Sequence, residues 1–262
     1  MKAVPVQQTR AKSDPMSCRL KLIVAYDGRA FAGWQSQAHR NTVQDELEHS
    51  FQKIIGDRIR VHGAGRTDAG VHALAQCAHV DVPNRRISNL NWRNALNSVL
   101  PPTSRVLRCS YVSSKFHSRF SAKGKTYRYR IWTGPILPPL ELHRAWHVSV
   151  PLNFDLFEAT GQAFVGTHDF SGFAAKRGKK EEDTIRTIRS VRVRKRGFVV
   201  NIEIDGDGFL YKMVRLMVGA MVRVGLGQMN RSAVVNQLKL GRAGASRYAA
   251  PAGGLYLVRV WY

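Results

Sequence analysis

The chain of 262 residues is long enough for one large domain or two smaller ones, and its hydrophobic fraction of 44% suits a folded core. Its 41 Lys and Arg residues against 18 Asp and Glu give a formal net charge of +23, which makes the surface repel itself. A polyanionic partner is the simplest cause of such an excess, because the basic residues recur along the whole chain. An anionic membrane is less favoured, since no basic amphipathic helix stands out.

The distribution of cysteine and histidine argues against a disulfide framework and against a metal site. Cys18, Cys77 and Cys109 are odd in number, lie far apart and form no CxxC pair. His72 and His79 are seven residues apart, with no carboxylate or thiol placed to complete a metal shell. We therefore predict a cytoplasmic protein that holds no metal.

The N-terminus and the most apolar segment both argue against secretion or membrane insertion. Residues 1–16 are polar and lack the apolar stretch of a signal peptide, so we predict a disordered extension. Residues 209–226 form the most apolar run of the chain. Lys212, Arg215 and Arg223 interrupt this run, and each would be costly at the centre of a bilayer. We predict a buried helix here.

The first part of the chain alternates strand and helix patterns. Thr42 and Asp45 resemble a capping box, and the helical spacing of apolar residues that follows predicts an amphipathic helix ending at Gly56. The succession strand–helix–strand–strand–helix–strand is the split βαβ pattern of ferredoxin-like domains. Strands are predicted over residues 19–26, 58–62, 73–82 and 106–112, and helices over residues 42–55 and 88–100.

The second part has a similar order with longer insertions. Residues 125–132 alternate strongly, which places Lys125, Tyr127 and Tyr129 on one face of a strand. A basic turn at residues 194–196 is predicted to join two strands. We predict an α+β protein with an N-terminal part at 17–114 and a C-terminal part at 115–262. The further strands are predicted at residues 185–193, 197–204 and 255–262, and the helices at 153–164, 209–226 and 231–240.

The segment GAGRTDAG at residues 63–70 is the strongest candidate for chemistry. Its glycines allow the backbone to approach a ligand closely, and Arg66 and Asp68 are presented at a tight turn. A plain turn in which Asp68 caps backbone N–H groups remains an alternative. A dinucleotide-binding loop is excluded, because Asp68 occupies the place of the third glycine and a strand pattern follows.

The run GAGRTDAGVHA at residues 63–73 resembles the catalytic signature of the bacterial tRNA pseudouridine synthase A family. The other family blocks appear in family order across nearly the whole chain, with residues 1–16 and 176–180 outside them. These blocks are YDGRAFAGWQSQ with TVQDELE (26–48), KFHSRFSAKGKTYRYRI (115–131), THDFSGF (167–173), GFLYKMVRLMVG (208–219) and APAGGLYL (250–257).

The resemblance implies a fold and an activity. The implied fold has two ferredoxin-like halves, with joined antiparallel sheets, helices outside and a basic cleft between them. The implied activity is isomerisation of uridine to pseudouridine at positions 38, 39 and 40 of the tRNA anticodon stem-loop. It also implies no cofactor or obligatory metal, tRNA as partner and a homodimer.

Site residues follow from the same resemblance. Asp68 matches the essential aspartate, the implied nucleophile, although the sequence does not decide which atom it attacks. Tyr127 matches the active-site tyrosine that stacks on the flipped uracil; otherwise it is a half-buried sheet residue. Arg215 is implied to pair with Asp68, the alternative being a side chain that reaches the surface. Arg66 is implied to engage RNA phosphate or the flipped nucleotide, and Leu255 to pack beneath the base.

Two other interpretations account for part of the sequence. A non-catalytic RNA-binding protein on the same scaffold fits the charge and the aromatic residues equally well. The combination of Asp68, Tyr127 and Arg215 favours an enzyme, because a pure binder has no need to keep these three together. A structural ribosomal protein fits the charge, but it does not explain an aspartate framed by glycines. The basic segment 176–196 is predicted to help neutralise phosphates.

Overall fold

A computed structural model describes residues 17–38, 41–83, 87–175, 183–240 and 248–262. The predicted N-terminal extension and the basic stretch 176–180 therefore lie outside the described residues. The strands are β1 (Ser17–Tyr26), β2 (His62–Gly63), β3 (His72–Pro83), β4 (Ser104–Val112), β5 (Gly124–Trp132), β6 (Trp146–His147), β7 (Gly166–Asp169), β8 (Ile185–Arg196), β9 (Val199–Gly206) and β10 (Leu255–Trp261). The α-helices are α1 (Val43–Ile55), α2 (Asn89–Val99), α3 (Phe154–Gln162), α4 (Met213–Gly225) and α5 (Arg231–Leu240).

One large sheet runs through the molecule in the order β4-β1-β3-β10-β5-β9-β8-β7. The first four strands have the ferredoxin-like order, with β4, β1 and β3 adjacent and β2 on the far edge of β3. The same order recurs as β10-β5-β9-β8 in the second part. Helix α2 packs on β4, and α3 packs on β8 and α4. The predicted α+β class, with joined sheets and flanking helices, is confirmed.

The two repeats of this strand order meet along β3. Its C-terminal part pairs with β2 at His79 and Ala78, whereas its N-terminal part pairs in parallel with β10 at His72 and Ala73. The sheets are therefore joined by a parallel pair, although the pairs within each part of the sheet path are antiparallel. Residues 64–71 leave β2 and enter β3 at this junction.

Strand β2 is much shorter than predicted. The sequence pattern predicts a strand over residues 58–62, but only His62 and Gly63 pair with β3. The backbone N–H of Val61 instead donates to Oε1 of Glu48 at 3.0 Å, so a side chain of α1 takes the place of a strand partner. The short β2 leaves the start of β3 available to β10.

The termini of α1 agree with the sequence, whereas two other boundaries do not. Thr42 caps α1 through Asp45, and Gly56 ends it with a φ of 90°. The helix predicted from residue 209 begins only at Met213, because Lys212 has a left-handed φ of 59°. Residues 194–196 belong to β8 and are not a turn. The hairpin turns at residues 197–198, where Gly197 supplies a φ of 57°.

The described residues contain no helix that is both long enough and apolar enough to cross a membrane. Helix α4 is almost entirely buried and ends after 13 residues. Its apolar side chains belong to the protein core, together with those of the central strands. This agrees with the prediction of a buried helix, shifted to a later start.

Candidate active site

The loop between β2 and β3 is fastened to the sheet on both sides of Asp68. The amide of Gln76 donates to the carbonyl oxygen of Gly65 at 2.9 Å. The hydroxyl groups of Tyr26 and Thr67 are hydrogen-bonded at 2.8 Å in a buried position. The backbone N–H of Trp34 donates to the carbonyl oxygen of Thr67 at 3.1 Å. The aspartate therefore stands on a backbone that is held in one position.

Close packing of Trp34 against this loop explains one of the motif glycines. A Cβ atom on Gly63 would lie 2.4 Å from the indole ring of Trp34, which is only 2% exposed. The segment of Trp34 meets the loop again at Gly33, whose φ of 101° brings it against the carbonyl oxygen of Thr67. Gly63 of the motif and Gly33 thus allow the segment of Trp34 to pack tightly against the loop that carries Asp68.

Asp68 forms an ion pair with Arg215 of helix α4. Nη1 of Arg215 donates to Oδ2 of Asp68 at 3.2 Å, and the two side chains are 14% and 18% exposed. Nε of Arg215 donates to the carbonyl oxygen of Ala250 at 2.7 Å, and the Ala250 N–H returns a bond to the Arg215 carbonyl oxygen at 2.9 Å. The predicted pair is confirmed, and Arg215 does not extend to the surface.

A cleft of about 1370 Å³ opens over this ion pair. All five residues predicted for the site line this cleft. The fold thus brings together side chains from the loop between β2 and β3, from β5, from α4 and from β10. Among the described lining residues, cations outnumber carboxylates by six to two. The cations are Arg60, Arg66, Arg119, Lys125, Lys212 and Arg215, and the carboxylates are Asp68 and Asp169.

Tyr127 combines the two predicted descriptions, because it is a buried sheet residue that also lines the cleft. It is 8% exposed and lies in the middle of β5. The ring of Phe209 meets it edge to face, with centroids 5.0 Å apart. Burial, followed by the nearby Tyr26 and Asp68, raises the pKa of Tyr127 far above its usual value. The hydroxyl group therefore stays protonated at neutral pH.

Arg66 and Leu255 occupy opposite kinds of environment in the cleft. Arg66 is exposed, and its Nε donates to Oε1 of Gln35 at 3.1 Å. Leu255 is 6% exposed at the first position of β10, where it pairs with Tyr129. Arg66 thus lies on the solvent-exposed side of the cleft, whereas Leu255 provides an apolar wall.

Lys125 also lines the cleft. The sequence pattern predicts that it shares a strand face with Tyr127, but indicates no role for it. Burial lowers its pKa to about 8, and the charges of Arg119 and Arg186 act in the same direction. Its ammonium group lies 2.7 Å from the point that a Cβ on Gly65 would occupy. The alternation of β5 indicates that Lys125 shares a strand face with Tyr127, but it does not indicate the approach to Gly65.

Within the described ranges, no group of three or more His, Cys, Asp or Glu side chains is arranged to hold a metal ion. The rings of His62 and His117, which line the cleft, instead pack against the buried ring of His79, the first stacked on it and the second edge-on. The ring of His79 lies 5.0 Å from that of His62 and 4.6 Å from that of His117, measured between centroids. Burial and neighbouring positive charge lower the pKa of His79 to about 4, so its ring is neutral at pH 7.

Fold and cleft together define an α+β protein in which an aspartate paired with an arginine lies in a cleft lined mainly by cations, which suits a polyanion. The model of the tRNA pseudouridine synthase family matches residues 22–121 and 161–262. The chain belongs to this family. The conclusion agrees with the resemblance seen in the sequence blocks.

Individual relatives match over almost the full length. The tRNA pseudouridine synthase A of Akkermansia muciniphila is 45% identical over 251 residues, which cover 93% of this chain and 95% of the relative. The protein of the same name from Maridesulfovibrio salexigens is 42% identical, with 93% and 90% covered. That from Acetivibrio thermocellus is 40% identical, with 93% and 99% covered.

Proposed function

We propose that the chain isomerises uridine to pseudouridine at positions 38, 39 and 40 of the tRNA anticodon stem-loop, with Asp68 as nucleophile and without a cofactor. The observation that carries the proposal is the carboxylate of Asp68, fixed by Arg215 on a rigid loop within a cationic cleft. The relatives named tRNA pseudouridine synthase A support the substrate class.

The chemistry needs one carboxylate and no redox partner. When the bond between C1′ and N1 of the uridine breaks, positive character develops at C1′, which an ionised carboxylate can attack or stabilise. The uracil then turns, C5 bonds to C1′, the proton on C5 is lost and N1 takes up a proton. The product is an isomer of the substrate, so atoms and electrons balance without an oxidant or reductant.

The remaining site residues bind the reacting nucleotide. A uridine in a stem must leave the base stack before an enzyme can reach its glycosidic bond. We propose that Tyr127 stacks on the flipped uracil, that Leu255 packs beneath it and that Arg66 contacts the nucleotide or a neighbouring phosphate. The exposure of Arg66 and the fixed apolar position of Leu255 support these assignments. Arg215 orients Asp68 and is a positioning residue.

The test compares the wild-type protein with Asp68→Asn, which keeps the shape of the side chain but removes its charge. The substrate is an unmodified tRNA with uridines at positions 38 to 40. Pseudouridine is measured by carbodiimide treatment and primer extension, and binding by filter retention. We expect normal binding and no detectable product for the variant. An active variant would contradict the role of Asp68, and a wild-type protein that binds without reaction would favour a non-catalytic RNA-binding protein.

We also propose a homodimer. Large apolar side chains that a monomer would leave in water occur close together in one segment after β5, where Ile136, Leu140 and Leu142 are 79%, 80% and 50% exposed. Burial of such a patch against a second copy removes it from solvent. Sedimentation at micromolar concentration is expected to give the mass of two chains, and a monomer at that concentration would refute the dimer.

A further inference from the structure

We propose that Phe120, backed by His117 and flanked by Arg119, forms a fixed platform on which an unstacked base of the RNA lies when the target uridine occupies the cleft. The three residues are called the aromatic platform below, and all of them line the same cleft as Asp68. The inference rests on the proposed function, since it names a second contact for the same RNA. It adds a subsite for a base other than the one that reacts.

The ring of Phe120 is left in water. Phe120 is 77% exposed in the turn between β4 and β5. The ring of His117 lies beside it at a centroid distance of 4.4 Å and an interplanar angle of 34°. His117 thus supports one side of the Phe120 ring, and the rest of that ring surface faces solvent.

Hydrogen bonds fasten the turn that carries Phe120 to the rest of the protein. Ser118 is completely buried, and its hydroxyl donates to the carbonyl oxygen of His62 at 2.6 Å. The backbone N–H of Ser118 donates to Nδ1 of His79 at 3.2 Å, and the hydroxyl of Tyr262 donates to the Ser118 carbonyl oxygen at 2.6 Å. The turn is therefore fastened to β2, β3 and Tyr262, which fixes the backbone position from which Phe120 projects.

Hydrogen bonds within the turn complete this support. Nδ1 of His117 accepts from the backbone N–H groups of Arg119 and Phe120 at 3.1 and 3.3 Å. The backbone N–H of His117 donates to Oγ of Ser121 at 2.9 Å, and the Ser121 N–H donates back to the His117 carbonyl oxygen at 2.9 Å. A base that stacks here meets a preorganised surface and orders no loop on binding.

The aromatic platform is surrounded by positive charge. The guanidinium of Arg119 lies 5.6 Å from the centroid of the Phe120 ring. Arg60 and Lys125 line the same cleft and add positive charge near the expected path of the phosphates. Exposed aromatic rings between cations are the arrangement by which proteins hold single-stranded RNA, because every base has a face that can stack. An unstacked base therefore fits this surface better than an apolar protein segment does.

The experiment measures binding and base environment separately from catalysis. The full chain is mixed with an anticodon stem-loop RNA in which 2-aminopurine replaces a base next to the target uridine. We expect quenching of its fluorescence by the wild-type protein, about 10-fold weaker binding by Phe120→Ala and loss of most of the quenching, as for removal of one stacking partner. Phe120→Tyr keeps a ring and is expected to bind within about 2-fold of wild type.

Leu90→Ala is the matched control, because Leu90 is 54% exposed, is not among the residues that line the cleft and lies outside the apolar segment proposed for the dimer. It is expected to leave RNA affinity and quenching unchanged. The proposal is overturned if Phe120→Ala binds RNA and quenches the fluorescence like wild type. It is also overturned if Phe120→Ala loses affinity because its oligomeric state has changed. A wild-type protein without synthase activity whose binding still depends on Phe120 would refute the proposed function alone. An active wild type with no such dependence would refute the platform alone.

Discussion

Nη1 of Arg215 lies 3.2 Å from Oδ2 of Asp68, although the two residues are 147 positions apart in the chain. The guanidinium is held from its other side by the carbonyl oxygen of Ala250, which accepts from Nε at 2.7 Å. One arginine thus connects helix α4, the loop that carries the proposed nucleophile and the segment that leads into β10. The contact links the two parts of the sheet at the point where the reaction is proposed to occur.

Arg215→Lys is expected to lower kcat by about 100-fold while RNA affinity changes little, because a lysine cannot bond Ala250 and Asp68 in the same geometry. Arg215→Met should be slower still, since it leaves the carboxylate without this cation. Single-turnover rates and filter binding separate the two quantities. Arg223→Lys in the same helix is the control. Equal loss of rate in both lysine variants would show that the effect comes from α4 and not from the ion pair.

Tyr127 allows the ring and the hydroxyl group to be tested apart. The raised pKa keeps the phenol protonated, so we assign the main contribution to the ring face that stacks on the base. Tyr127→Phe is therefore expected to react at least about 10-fold faster than Tyr127→Leu, with RNA affinity closer to wild type. Single-turnover rates at saturating RNA give the comparison. Equal rates for the two variants would place the essential contribution in the hydroxyl group.

Lys125 predicts a pH dependence of stability. The pKa of Lys125 is about 8 in the folded chain, whereas the usual value for a lysine, which applies to the unfolded chain, is 10.5. Between these two pKa values the unfolded chain binds more protons than the folded chain, so the free energy of unfolding rises with pH. Below pH 8 the lysine is charged in both states, and the folded state bears the full cost of burying that charge. Lys125→Met is expected to raise Tm by a few degrees at pH 7, and this gain should shrink as pH approaches 10.5.

Thermal unfolding between pH 7 and 10.5 measures the Lys125 effect. Lys123→Met is the matched control, because Lys123 is an exposed lysine just before β5. It should change Tm little at any pH. A gain for Lys125→Met that stays constant over the whole interval would mean that lost charge does not explain the stabilisation.

Local patterns predicted the elements whose ends depend on neighbouring residues. Thr42, Asp45 and Gly56 bound α1 because caps are formed by side chains and backbone within one turn. The alternation of β5 likewise placed Lys125 and Tyr127 on the face that lines the cleft. Such features are set by periodicity and capping, which can be recognised in the sequence without knowledge of the fold.

Features that depend on distant partners were missed or misplaced. The strand expected at residues 58–62 is mostly absent because Glu48 binds the Val61 N–H from α1. The start of α4 is delayed by the left-handed backbone of Lys212, which no local pattern announces. The pair of Asp68 and Arg215 was expected only through the family resemblance. The exposure of Phe120 depends on its neighbour Ser118, which is buried because its hydroxyl donates to His62 of β2.

RNA binding should depend steeply on salt. Six cations line the described part of the cleft, and each phosphate that a cation neutralises releases a counterion. Contact with four or more phosphates predicts that log Kd rises with log salt concentration at a slope of at least about 3. Filter binding between 50 and 300 mM KCl measures the slope. A nearly flat response would contradict a cleft that follows the phosphate backbone.

Two glycines of the same motif are expected to differ in how strongly an added methyl group lowers stability. A Cβ on Gly63 would meet the buried ring of Trp34 at 2.4 Å, so Gly63→Ala is expected to lower stability by about 1–3 kcal/mol, as for an overpacked core. A Cβ on Gly65 would meet only the end of the flexible Lys125 side chain, at 2.7 Å. Gly65→Ala should therefore unfold at nearly the wild-type denaturant concentration. A larger loss for Gly65→Ala than for Gly63→Ala would mean that the loop is held from the cleft side and not by Trp34.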